Sequence, residues 1–161
     1  MTGSSYPALA SSLGKSFDSP SVFMLRPGYI GDAGRSDGYA KTEDDDYTSQ
    51  NMEYLSFALS HLRSTYPNRP LVLVGHSGGA ASAAILAAKY PSLVDAAILA
   101  GCPCDITPWR EWRNESAGKS GSWSSLSPLD FASQTSKDAF VVAVTGDKDI
   151  NTLPKFAEVY I

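Results

Sequence analysis

The 161-residue chain is long enough for one domain with a sizeable buried core. Hydrophobic residues make up 43% of it and charged residues 19%, as in an ordinary globular protein. A net charge of −4 and the lack of a Lys/Arg-rich run argue against nucleic acid or an anionic membrane as a partner. No apolar run approaches the ~20 residues of a transmembrane helix, and no signal peptide is visible, so we predict a cytoplasmic location by default.

Helix and strand signals alternate along the chain, which is typical of an α/β protein with a parallel sheet. The run Leu71–Val74 is continuously apolar, and such strands are buried on both faces of a sheet. In chain order we predict a helix over 6–15, a buried strand over 21–25, a helix from Thr48 or Ser49 to about Tyr66, strands over 71–74 and 93–100 with a helix between them, a strand over 140–145 and a helix from 153.

Residues 101–127 show no regular pattern and contain the three tryptophans, Trp109, Trp112 and Trp123. An irregular connection of this length is uncommon in a compact domain unless it is functional. We expect either a short cap or flap, or packing of the segment onto the core. The loop over 28–39 has several glycines but no Gly-Lys-Ser/Thr sequence, so we expect it to border a site rather than bind phosphate.

Cys102 and Cys104 are the only cysteines of the chain. A disulfide across a single residue is expected to be strained, and two thiols without a nearby histidine make a poor metal site. We therefore predict two reduced, packed cysteines and no metal.

The sequence Gly75-His76-Ser77-Gly78-Gly79 fits the pattern Gly-x-Ser-x-Gly between a buried strand and an Ala-rich helix. In this context we expect the serine in a strained backbone conformation, with its Oγ at the carboxyl end of a parallel strand. Small residues two positions before and after it would let the strand and the helix pass closely. A chance match in a glycine-bearing turn is the alternative, and the order of strand, motif and helix disfavours it.

Three segments make nearly the whole chain resemble the α/β-hydrolase family. Arg26-Pro27-Gly28-Tyr29 is similar to the loop after the family's fourth strand, and Leu71 to Gly79 is similar to the fifth strand with its nucleophile elbow. Val141 to Asp149 is similar to the seventh strand with its Gly-x-x-Asp acid turn. The resemblance implies a mainly parallel sheet with helices on both faces, in a single domain over 1–161 that includes the cap.

The resemblance also implies a serine hydrolase that cleaves a small-molecule ester or amide without a metal or organic cofactor. Ser77 would attack the acyl carbon. The N–H groups of Gly78 and Gly3 would hold the oxyanion, and the side chains of Tyr29 and Trp109 would contact the substrate.

The acid of the implied triad has rivals. Asp149 occupies the family's Gly-x-x-Asp position, where a carboxylate orients the catalytic histidine. Asp147 lies in the same turn, where a carboxylate can simply bond the turn amides. Asp105 follows the preceding strand, where some members of the family place their acid. We predict Asp149 and keep Asp105 as the alternative.

The catalytic histidine of the implied triad has no counterpart among the matching segments of the chain. The chain has two histidines; His76 leaves the serine turn in another direction, and His61 is predicted in mid-helix. In the family the catalytic histidine follows an eighth strand, which we expect beyond Ile161, and a third strand is expected before residue 1. The resemblance therefore implies a core that is incomplete at both ends and has weak or no activity. A non-catalytic, hydrolase-like binding protein is the alternative function.

Overall fold

The computed structural model describes residues 5–32, 34–40, 47–118 and 125–161. The chain divides into two compact units, Met1–Ala40 and Lys41–Ile161. The single domain over 1–161 therefore stays a prediction. Within the described ranges, no helix combines the length and the hydropathy that a membrane span requires.

The first unit contains one helix and a short antiparallel ladder. Helix α1 spans Ser5–Ser16, close to the predicted 6–15. Strands β1 (Ile30–Gly31) and β2 (Gly34–Arg35) pair antiparallel inside the glycine-rich loop. This loop is thus partly ordered by its own backbone hydrogen bonds.

Residues 21–25 do not form the predicted strand. Among the described residues they join no ladder, and Val22 and Phe23 are 55% and 43% exposed. Phe23 instead stacks on Tyr6 of α1, with ring centroids 6.3 Å apart. The prediction was wrong because a strand requires a neighbour that completes its backbone hydrogen bonds, and an apolar run does not supply one.

The second unit is built on a three-stranded parallel sheet. Its strands are β3 (Val72–His76), β4 (Ala96–Ala100) and β5 (Phe140–Val144), in the order β3-β4-β5. The register places the last residues of the three strands side by side at the carboxyl edge. The predicted α/β fold with a parallel sheet is confirmed.

One helix forms the centre of the core. Helix α3 (Gly78–Lys89) packs on β3 and β4, while α2 (Ser49–Thr65) and a 3₁₀ helix (Pro128–Gln134) pack on α3. Nearly every residue of α3 is buried, and most of them are alanine. Helix α2 begins as predicted, since the Thr48 hydroxyl accepts the Asn51 N–H at 3.1 Å. The last helix, α5 (Lys155–Glu158), is short.

The two faces of the sheet differ in burial. Ala97 and Leu99 of β4 are fully buried. On the other face, five side chains are 38–69% exposed, namely Val72, Val74, Ile98, Phe140 and Val144. The expectation that Leu71–Val74 is buried on both faces was wrong, because an apolar run does not reveal whether both faces have a covering layer.

Residues 101–127 are less irregular than predicted, because they contain α4 (Ile106–Ser116). Pro108 lies in the first turn of α4, where its missing N–H removes no helical hydrogen bond. The buried residues of this helix are Ile106 and Arg110. Because the charged Arg110 occupies one of these two buried positions, the sequence lacks the apolar repeat every three or four residues that predicts a helix. Trp123 lies outside the described residues.

Candidate active site

The chain passes from β3 into α3 through a single strained residue, Ser77. Its backbone has φ 53° and ψ −121°, a left-handed conformation that few residues other than glycine adopt. The Ser77 N–H donates to the Ala100 carbonyl at 2.8 Å, and the Ser77 carbonyl accepts the Ala80 N–H at 2.8 Å. The turn is therefore fixed on one side by β4 and on the other by the start of α3, and the predicted strain is confirmed.

The two glycines that flank this serine turn are not equivalent. A Cβ at Gly75 would lie 2.4 Å from the Gly79 carbonyl oxygen and 2.6 Å from the Ala80 N, so only glycine fits there. A Cβ at Gly79 would have no neighbouring atom within 4 Å. The expected need for a small residue is confirmed at Gly75 and is wrong at Gly79, which faces open space at the start of the helix.

The turn after β5, residues 146–152, carries Asp149 and is called the acid turn below. Asp149 Oδ1 accepts the N–H groups of Asn151 at 2.8 Å and Thr152 at 2.9 Å. The Asp149 N–H in turn donates to the Gly146 carbonyl at 3.1 Å. The carboxylate is thus held through one oxygen by the backbone that follows it, and its orientation does not depend on a mobile side chain.

Gly101 lies between the serine turn and the acid turn. It follows β4 directly, has φ 54°, and donates its N–H to the Val144 carbonyl at 2.8 Å. A Cβ at Gly101 would lie 3.4 Å from Asp149 Oδ2, and the neighbouring Ala100 carbonyl binds Ser77. The carboxyl ends of the strands therefore place Ser77 against Ala100 and Asp149 against Gly101, two consecutive residues.

A sequence-family model described as "Serine aminopeptidase, S33" matches residues 33–157, more than half of the chain. The chain belongs to this family of α/β-hydrolases. Its parallel sheet and helices form an incomplete α/β-hydrolase core, and the family makes it a hydrolase of the α/β-hydrolase type. No match is found among curated proteins.

The two rival acids of this α/β-hydrolase lie in different surroundings. Asp105 is the residue before α4, and its side chain makes no capping hydrogen bond. Burial, followed by the charges of Asp130 and Glu111, raises the pKa of the Asp105 carboxyl. Asp147 is exposed. Asp149 has one oxygen, Oδ2, on the Gly101 side of its carboxylate.

Among the described residues, neither histidine forms a hydrogen bond with the Asp149 carboxylate. His76 is the last residue of β3 and is exposed, and His61 lies on an exposed part of α2. In the described part of the chain, the Asp149 carboxylate accepts hydrogen bonds from backbone N–H groups alone. Neither histidine is therefore the partner of this acid.

The other predicted site residues are placed as follows. Gly78 is the first residue of α3, where an N–H has no carbonyl partner inside the helix. The Trp109 indole N–H donates to the Asn151 carbonyl at 2.9 Å. In the first unit, the Arg26 guanidinium lies 4.2 Å from the centroid of the Tyr29 ring. Gly3 lies outside the described residues. Substrate contact by Tyr29 and Trp109 and the oxyanion role of Gly78 and Gly3 stay predictions.

Cys102 and Cys104 form a disulfide, so the predicted reduced state was wrong. Their Cα atoms are 5.1 Å apart, within the usual range for disulfides, because the chain bends at Pro103 rather than running extended. Both residues are fully buried, which confirms the predicted packing. Over the described ranges, no cluster of His, Cys, Asp or Glu side chains could hold a metal ion.

Sequence reasoning missed Gly101 and Asn151. The available signal for Gly101 was its position in the sequence. A glycine directly after a buried strand often has a positive φ. Asn151 contributes through its backbone N–H and carbonyl, and no side-chain pattern in the sequence identifies such a role.

Proposed function

We propose that this α/β-hydrolase cleaves an ester or amide through an acyl-enzyme at Ser77. The observation that carries the proposal is the left-handed backbone of Ser77 at the carboxyl end of a parallel strand. Strained residues of this kind persist where the surrounding structure enforces them, and they gather at functional sites. The partly exposed side chain also leaves the hydroxyl within reach of a substrate.

In the proposed reaction, Ser77 Oγ attacks the acyl carbon and forms a tetrahedral intermediate. The Gly78 N–H and the amino end of the 12-residue helix α3 would stabilise the negative charge on its oxygen. The leaving group departs with a proton, and water then hydrolyses the acyl-enzyme. Asp149 would orient a histidine and stabilise its protonated form through Oδ2, the oxygen on the Gly101 side.

The proposal assigns the base to neither His61 nor His76. Loss of one member of a catalytic triad lowers turnover by roughly 10⁴- to 10⁶-fold, while binding and the oxyanion site retain some activity. We therefore expect the 161-residue chain alone to turn over slowly. Imidazole added to the buffer should take the place of the base in part.

The test is covalent labelling of the 161-residue chain by a fluorophosphonate, located by mass spectrometry, with and without imidazole. We expect one label on Ser77, faster labelling in imidazole, and no label in Ser77→Ala. The control is Ser60→Ala, which removes a serine from α2 and should label like the native chain. A well-folded native chain that stays unlabelled in imidazole would overturn the proposal and favour the non-catalytic binding protein.

The description of the family model supports an amide next to a free amino group as one substrate class. A comparison of an aminoacyl p-nitroanilide with its N-acetylated form tests this. Faster hydrolysis of the free amine would favour an aminopeptidase, and equal or slower hydrolysis would favour a general esterase or amidase.

A further inference from the structure

The acid turn is attached to helix α4 by hydrogen bonds. The Trp109 indole N–H donates to the Asn151 carbonyl at 2.9 Å, and Arg113 Nη1 lies 3.5 Å from Asn151 Oδ1. The Arg113 guanidinium also lies 5.6 Å from the centroid of the Trp109 ring. In the described part of the chain, α4 is the element whose side chains donate hydrogen bonds to residues 149–152.

Asn151 connects this attachment to the acid. Its carbonyl accepts the Trp109 indole N–H, while its N–H donates to Asp149 Oδ1. Thr152, whose N–H is the second donor to Asp149 Oδ1, is 2% exposed. A displacement of Asn151 would therefore move one of the two groups that fix the Asp149 carboxylate, and with it the direction of Oδ2.

We propose that Trp109 is a positioning residue for Asp149, acting through the Asn151 peptide groups. The inference rests on the proposed function, in which Asp149 is the acid. It gives the segment after β4 a role other than covering the substrate, because α4 holds the acid turn in place. Trp109→Phe removes the indole N–H and should loosen the turn, while an aromatic ring remains for the substrate contact predicted at Trp109.

The first test is amide hydrogen exchange of Asn151 and Thr152, measured by NMR on the 161-residue chain. Trp109→Phe keeps an aromatic ring and removes the N–H. We expect the two amides to exchange about fivefold faster, the effect of losing one neutral hydrogen bond. Trp112→Phe is the matched control, because Trp112 lies on the same helix, packs on Phe156 at 5.7 Å and should leave these amides unchanged.

The second test is a double-mutant cycle on the rate of Ser77 labelling in imidazole, where the added imidazole stands in for the histidine that Asp149 would orient. Trp109→Phe should slow labelling severalfold in the native background and less than about twofold in Asp149→Asn, because residues that act through one another are not additive. Trp112→Phe should leave the labelling rate of each background unchanged.

The outcomes separate the two proposals. Unchanged amide exchange in Trp109→Phe would overturn the positioning role whether or not Ser77 reacts. Equal slowing of the labelling in both backgrounds would also overturn it, because Trp109 would then act independently of Asp149. A native chain without any labelling would overturn the proposed function, and the exchange rates alone would then support or overturn the attachment of the acid turn by Trp109.

Discussion

The two ends of the parallel sheet are built in opposite ways. At the amino end, Asp95 precedes β4 and forms an ion pair with Arg63 of α2, while its Oδ2 accepts the Leu71 N–H at 2.7 Å. The hydrogen bond from Arg63 holds the pKa of the Asp95 carboxyl below its ordinary value. At this end of the sheet, the Asp95 carboxylate therefore has both an opposite charge and a backbone N–H as partners.

At the carboxyl end, Ser77 has a left-handed backbone, and the Asp105 carboxyl has a raised pKa because it is partly buried near other acids. Strain and perturbed acids are features of sites that perform chemistry, whereas satisfied ion pairs stabilise a fold. Substitutions at the amino end should therefore lower stability alone. Substitutions at the carboxyl end should separate stability from reactivity.

The largest expected effect concerns the glycines of the serine turn. Gly75→Ala should lower the free energy of unfolding by about 3 kcal/mol, because its Cβ would overlap the start of α3. Gly79→Ala, two residues past the serine, should instead raise it by about 0.5 kcal/mol, because alanine favours the helix and meets open space. Denaturant unfolding of both variants checks this, and equal stabilities would contradict the packing described for Gly75.

Ser77→Gly should have an intermediate effect on stability. Glycine adopts a positive φ without steric cost, so we expect the free energy of unfolding to rise by about 1 kcal/mol while fluorophosphonate labelling disappears. Ser77→Ala is the control, since it also removes the hydroxyl but keeps the Cβ that causes the strain. A Ser77→Gly variant no more stable than Ser77→Ala would show that the turn is not strained.

The smallest effects concern the two aspartates that flank β4. The folded-state pKa of Asp95 is lowered, so its stabilisation is present above its ordinary pKa and is lost as the pH falls through the folded value. Asp95→Asn should thus lower the free energy of unfolding at pH 7 by a few tenths of a kcal/mol, because Asp95 is 41% exposed and solvent screens the pair. The difference should shrink below about pH 4.

Asp105→Asn should do the opposite. Its folded-state pKa is raised, so the native chain is penalised above the ordinary pKa of the carboxyl, and the penalty disappears at lower pH. The variant should be more stable than the native chain at pH 7 by at most about 0.5 kcal/mol, and equal to it near pH 3. Thermal melts of Asp95→Asn and Asp105→Asn at pH 7 and near pH 3 check both predictions. Changes in stability of the same sign at pH 7 would contradict the difference between the two ends of the sheet.

Sequence reasoning placed the elements whose signals are local. The run before Gly75 and the alanines after Ser77 predicted β3 and α3, and Thr48 predicted the start of α2. The backbone strain at Ser77 followed from the same motif, because strand, turn and helix there are fixed by adjacent residues.

The failures depend on contacts that are distant in sequence. Residues 21–25 have the composition of a strand, but pairing depends on a neighbour elsewhere in the chain. Helix α4 was missed because Arg110 occupies one of its buried positions, and the disulfide depends on how the chain bends at Pro103. The exposure of Val74 likewise depends on what covers the sheet.

The burial of α3 has a consequence for how this chain can vary. An amphipathic helix tolerates substitution along its solvent side, so tolerated positions recur every three or four residues. Nearly all residues of α3 are buried, at 0–6% exposure from Ala80 to Ala88, between the sheet on one side and α2 and the 3₁₀ helix on others. A saturation library of α3 should therefore show no helical period and accept mainly exchanges among the smallest residues.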